Sequence, residues 1–169
     1  TLEQLRVHCD ALLNTSAFKD YCPNGLQVQA VDGDTKVKKI ITGVTASEAL
    51  IDEAILQKAD VLIVHHGYFW KGESQVVTGI KYKRIASLMK HDINLFAYHL
   101  PLDAHPELGN NAQLVKMFGL QRSQSLQASL PLEESIGVVA EFDQAISLSD
   151  VKSIVENALG RKVLLEAAG

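Results

Sequence analysis

Apolar residues Leu2, Leu5, Cys9, Leu12 and Leu13 recur at helical spacing, and Pro23-Asn24-Gly25 reads as a turn beyond that helix. Over 37–44 the pattern changes to a β-branched apolar run, the mark of a strand. Thr45-Ala46-Ser47-Glu48 then has capping-box form ahead of Ala49, Leu50, Ile51, Ala54 and Ile55, which predicts a helix. Val61-Leu62-Ile63-Val64 is apolar without alternation, as expected of a strand covered on both faces. The cycle repeats with a helix carrying Ile80, Ile85, Leu88 and Met89 and a strand over 93–98. Leu108, Leu114, Val115 and Phe118 fit a further helix stopped by Gly119. The polar stretch 123–134 reads as a connection and 136–142 as a strand. A helix starts at Ser147-Leu148-Ser149-Asp150 and stops at Gly160, and 163–165 is expected to begin one more strand. Strands alternating with helices imply right-handed crossovers, so the predicted fold is a three-layer α/β/α domain with a mainly parallel, mixed sheet.

Composition narrows the function classes. The 169 residues carry 16 Lys and Arg against 20 Asp and Glu, a net charge of −4, which does not support a large nucleic-acid-binding face. Cys9 and Cys22 stand in no Cys-x-x-Cys spacing and suggest no disulfide framework, so a reducing, cytoplasmic compartment is expected. No apolar run approaches the ~20 residues that span a bilayer, and no membrane partner is expected. Glycine-rich dinucleotide and phosphate-loop patterns are both absent, which argues against a Rossmann oxidoreductase or a P-loop ATPase.

The chemistry concentrates where strands end. His65 and His66 follow the apolar run 61–64, at the edge where open α/β sheets gather their ligand sites. Adjacent strand residues point to opposite faces, so the two imidazoles are expected to share a site only if the backbone turns there, and Gly67 would permit the turn. The next strand ends in Tyr98-His99-Leu100-Pro101-Leu102-Asp103-Ala104-His105-Pro106. If the strands are neighbours, His65, His66 and Asp103 form a mixed N/O set suited to Zn, Mn, Fe, Co or Ni. Asp103 equally fits a cap of the turn between Pro101 and Pro106, and His99 and His105 equally fit outer partners, substrate contacts or loop packing. Tyr68-Phe69-Trp70 supplies either a wall for a ring-bearing ligand or a buried loop anchor, with the anchor favoured.

Pro23-Asn24-Gly25-Leu26-Gln27-Val28, Thr42-Gly43-Val44-Thr45-Ala46-Ser47, Val64-His65-His66-Gly67 with Phe69-Trp70-Lys71-Gly72, and 99–111 together resemble the NIF-three-like family, whose members are labelled GTP cyclohydrolase 1 type 2 homologues. The resemblance covers most of residues 1–162 and is closest to the short bacterial members. It implies two similar α/β lobes, a dinuclear divalent-metal site between them, and a ring-like homohexamer. Within that scheme 1–125 is the first lobe, carrying the His-His and Asp motifs, and 126–169 begins a second lobe that is expected to be truncated. It places metal ligands on His65, His66 and Asp103. The remaining ligands it implies are a His and a Glu one helical turn apart, and no His of this sequence has a Glu four positions downstream.

The expected function is a hydrolase using two divalent transition-metal ions on a small, nucleotide-like or phosphorylated substrate. Asp103 would hold the attacking water, and His99 or His105 would carry the proton. The alternative is a non-catalytic metal-binding scaffold, a metal-delivery protein or a protein-interaction module.

Overall fold

The computed structural model describes residues 1–166, and for Arg122 and Ser123 the backbone alone. The chain divides into two compact units, Thr1–Leu102 and Asp103–Gly169. In the first, helix α1 (Leu2–Leu12) is capped by Thr1, and a short β1 (Gly25–Val28) follows the Pro23-Asn24 turn. Strand β2 (Ile40–Thr45), helix α2 (Glu48–Leu56), strand β3 (Val61–His66), helix α3 (Gly79–Lys90) and strand β4 (Asn94–Ala97) then alternate as the sequence pattern predicts. A one-turn helix α4 (Leu100–Ala104) lies at the division between the units.

The sheet of the first unit has the order β1-β4-β3-β2. Strands β2, β3 and β4 are parallel, and β1 runs antiparallel to β4, so the sheet is mixed and mainly parallel. Strand alternation divides its side chains between two cores. Leu62 and Val64 of β3, with Leu95 and Ala97 of β4, pack against Ile51 and Ala54 of α2 and Leu88 of α3. Val61 and Phe96 face the other way, joining Leu2 of α1, Leu13 and Tyr98. These two faces make the three layers. A register shift between Leu26 and Val28 puts Leu26 in the α1 core and Val28 in the opposite one, so β1 serves both.

A polar side chain also sits in this interior. Asn94 is 1% exposed; its Oδ1 accepts the Ala30 N–H at 2.9 Å and its Nδ2 donates to the Asp60 carbonyl at 3.1 Å. The Asp60 carboxylate in turn accepts the N–H groups of Lys38 and Lys39, both at 2.7 Å, and so holds the start of β2. Asn94→Leu leaves the Ala30 N–H without its acceptor, while the Asp60 carbonyl keeps the Asn94 backbone N–H at 3.0 Å, so a loss of about 1–3 kcal/mol is expected in urea denaturation. A midpoint equal to wild type would contradict this.

In the second unit, α5 (Asn110–Met117) ends before Gly119, whose φ is +68°. Strand β5 (Gln121–Ser125) pairs antiparallel with β6 (Val138–Glu141), and α6 (Leu148–Leu159) runs from its cap Ser147 to a left-handed Gly160. Three local expectations change. The 123–134 connection begins inside β5, and 163–165 forms no strand among the described residues: the Val163 N–H donates to Glu156 Oε1 at 3.0 Å. The cap of α2 is Ser47, whose Oγ accepts the Leu50 N–H, because Thr45 is still in β2. Among the described residues no helix is long and apolar enough to cross a membrane.

Candidate metal centre

The β3–β4 ladder ends at Val64 and Ala97, and the Tyr98 N–H closes it by donating to the Val64 carbonyl at 2.9 Å. Beyond that closure stand His65 and His66 on β3 and His99 after β4. The rings of His65 and His66 lie 4.5 Å apart at 86°, and His99 is 5.0 Å from His65 and 5.7 Å from His66. One ligand nitrogen from each falls within 4.8 Å of the others, and all three residues are half-buried. The backbone stays extended through His66, so the expected turn between the two histidines is absent. Convergence comes instead from rings meeting edge to face where the ladder has ended.

Gly67 is needed for space rather than for a turn. Its φ lies outside the left-handed region, but a Cβ there would meet the Gln27 amide and stand 2.6 Å from the Ala97 Cβ. The Gln27 side chain occupies that place because it pairs with Tyr68 as a strand would, accepting its N–H at 2.7 Å and donating to its carbonyl at 3.1 Å. Tyr68 is the loop anchor: its hydroxyl donates to the Ala46 carbonyl at 2.9 Å, and burial pushes the phenol up to about 12 against an opposing Arg84 charge. Phe69 follows at φ 64°, a conformation that bulky side chains rarely adopt and that clusters at functional sites. Trp70 then places its ring 4.9 Å from His99 and 6.1 Å from His66, with its indole N–H donating to the Gly67 carbonyl. The aromatic triplet thus divides its work, Tyr68 as anchor and Trp70 as a wall beside the imidazoles.

Polar partners orient the rings. Thr45 Oγ1 lies 3.2 Å from His66 Nδ1, its strand position being directly opposite His66. His99 Nδ1 lies 2.8 Å from Asp20 Oδ1. Burial would raise the Asp20 carboxyl, but His99, Asn24 and the N–H groups of Leu100 and Tyr21 together hold it below the usual carboxylate range. Cys22, the buried neighbour of this pair, is pushed up to about 11 by burial and the Asp20 charge, so it is a thiol at neutral pH. Neither Asp20 nor Thr45 was singled out by the sequence pattern as a site residue.

In the second unit, Asp103 Oδ1 accepts Asn110 Nδ2 at 2.7 Å, and the Asp103 carbonyl accepts Asn111 Nδ2 at 3.1 Å. His105 Nδ1 accepts the N–H groups of Glu107 and Leu108 at 3.2 and 3.1 Å, capping the turn that leads to α5. In the first unit, His91 bonds its own helix through the Ser87 carbonyl.

A model of the family Duf34/NIF3 (NGG1p interacting factor 3) matches residues 1–168. The chain belongs to the NIF3 family. A Haemophilus influenzae relative named GTP cyclohydrolase 1 type 2 homolog is 49% identical over 164 residues, which is 97% of this chain and 62% of the relative. The chain thus spans about three fifths of the length of the curated relatives it matches. Among solved structures, the structural-genomics protein ybgI, described as of unknown function, superposes with a TM-score of 0.85 at 45% identity, covering 96% of this chain and 62% of that one. The protein TTHA1606 from Thermus thermophilus gives 0.84 at 33% identity, covering 99% and 64%. The NIF3 assignment and the mixed α/β fold therefore agree with the expectations from the motifs.

Proposed function

We propose that this NIF3-family chain carries the metal-binding part of a hydrolase that acts on a nucleotide-like or phosphorylated small molecule. The observation that carries the reading is the meeting of His65, His66 and His99 at the closed end of the β3–β4 ladder. The imidazoles of His65 and His66 are donors that fit a borderline divalent cation such as Zn, Fe, Mn, Co or Ni, with His99 standing beside them. His65 and His66, with Asp103 as carboxylate ligand, would hold two such ions. Ions of this kind supply a water acidic enough to attack at neutral pH and polarise the bond under attack.

The remaining roles fall to the chain's own side chains. Asp103 would orient the water, and His99 or His105 would take and return its proton. Trp70 offers a flat face beside the histidines against which a base ring can lie. The names of the relatives support a guanine nucleotide as the first substrate to test. The ring-shaped homohexamer implied by the motifs belongs to the same proposal.

The test is product formation from a panel of nucleotides and phosphoesters by the full-length protein, with and without added metal, followed chromatographically. Metal-dependent turnover that falls at least about a hundredfold in His66→Ala, about 3 kcal/mol of barrier, is expected. Metal binding without turnover on any member of the panel would move the reading to a scaffold or metal-delivery protein.

A further inference from the structure

The segment between α1 and β1 reaches the end of β4 through side chains alone. Asp20 is the centre of that contact, its side chain 2% exposed. Its Oδ1 lies 2.8 Å from His99 Nδ1, and its Oδ2 accepts the Leu100 N–H and Asn24 Nδ2, both at 2.9 Å. Asn24 completes the grip by accepting the His99 N–H at 2.8 Å. An ionised carboxylate only accepts hydrogen bonds, so the proton between Asp20 and a neutral His99 ring must sit on Nδ1. The other nitrogen, Nε2, then carries the lone pair.

The geometry points to Asp20 as the positioning residue of His99: it holds the neutral ring as the Nδ1–H tautomer and reserves the Nε2 lone pair for the His65 and His66 cluster. His99 then enters the site as an acceptor, able to bind a cation or take a proton from water, and not as the initial proton donor. Asp20, Cys22 and His99 also bring donor atoms within 4.8 Å of one another, but they do not make a second cation site. Both oxygens of the carboxylate are already committed to N–H donors, and the Cys22 sulfur carries its proton.

The inference rests on the metal-centre reading only for its consequence, since the tautomer is a property of the protein before any metal is added. Long-range nitrogen–proton correlation spectra of metal-free, nitrogen-labelled protein, at a pH where the ring is neutral, read it directly, with His99→Ala assigning the signals. The wild-type ring is expected in the Nδ1–H form. Asp20→Ala removes the acceptor now shared by four N–H groups, those of His99, Tyr21, Leu100 and Asn24, so nothing on that side holds the proton on Nδ1 and the Nε2–H population is expected to rise. The substitution should also weaken zinc binding about 10- to 100-fold, as loss of a partner behind a ligand does. A wild-type ring in the Nε2–H form overturns the inference, and that spectrum needs no variant to fold. So does a folded Asp20→Ala protein with the wild-type tautomer. A tautomer shift in a protein that binds no zinc would uphold Asp20 as the positioning residue and overturn the metal-centre reading instead.

Discussion

Gly67→Ala is expected to cost about 3–5 kcal/mol of stability and to disturb the histidine cluster at the same time. The added Cβ stands 2.6 Å from the Ala97 Cβ, a backbone-fixed atom at the end of the inner strand β4, and also meets the Gln27 amide. Overpacking of this kind costs about 1–3 kcal/mol. Moving Gln27 aside further breaks its bonds to the Tyr68 N–H and carbonyl, about 1 kcal/mol each. Because Gly67 directly follows His66, the shift propagates into the strand end that carries the imidazoles. Gly72→Ala is the matched control: it has nothing within 4 Å of the new Cβ and meets only the strain of φ +86°. Urea denaturation of both variants decides the matter, and equal midpoints for Gly67→Ala and wild type would refute the packing argument.

Removal of a ring from the cluster is the second large effect. His65→Ala and His66→Ala are each expected to lower zinc affinity by more than the ~10- to 100-fold assigned to a partner behind a ligand, because each removes a donor outright. His66→Ala also removes the contact of its ring with Thr45 across the β2–β3 pair. Calorimetric titration with zinc reads the affinity, and wild-type affinity in both variants would remove these residues from the ligand set.

Much of this molecule was legible in sequence because its elements are local. The apolar run of β3 and the cap and Gly160 stop of α6 each sit within one stretch of chain, and the histidine pair at a strand end was visible for the same reason. What was not legible depends on distant partners. Strand β1 has four residues behind a turn signal and exists because β4 offers an edge. Strand β5, Gln121–Ser125, is polar in sequence and is held by pairing with β6. Thr45 matched a capping box by spacing, yet its strand position puts its hydroxyl beside His66 while Ser47 does the capping. Asp20 lies 79 positions from His99, and no periodicity or motif spacing links the two. A partner that orients a ligand acts through the tertiary fold, which local patterning does not encode.

The proposed function stands on a divalent-metal site at the ends of β3 and β4. The most direct test is anomalous diffraction from crystals of the protein grown with zinc, recorded on both sides of the zinc absorption edge. A peak about 2.0–2.1 Å from ring nitrogens of His65 and His66 is expected. Zinc found only at surface positions such as His91, with no peak beside His65 and His66, would contradict it.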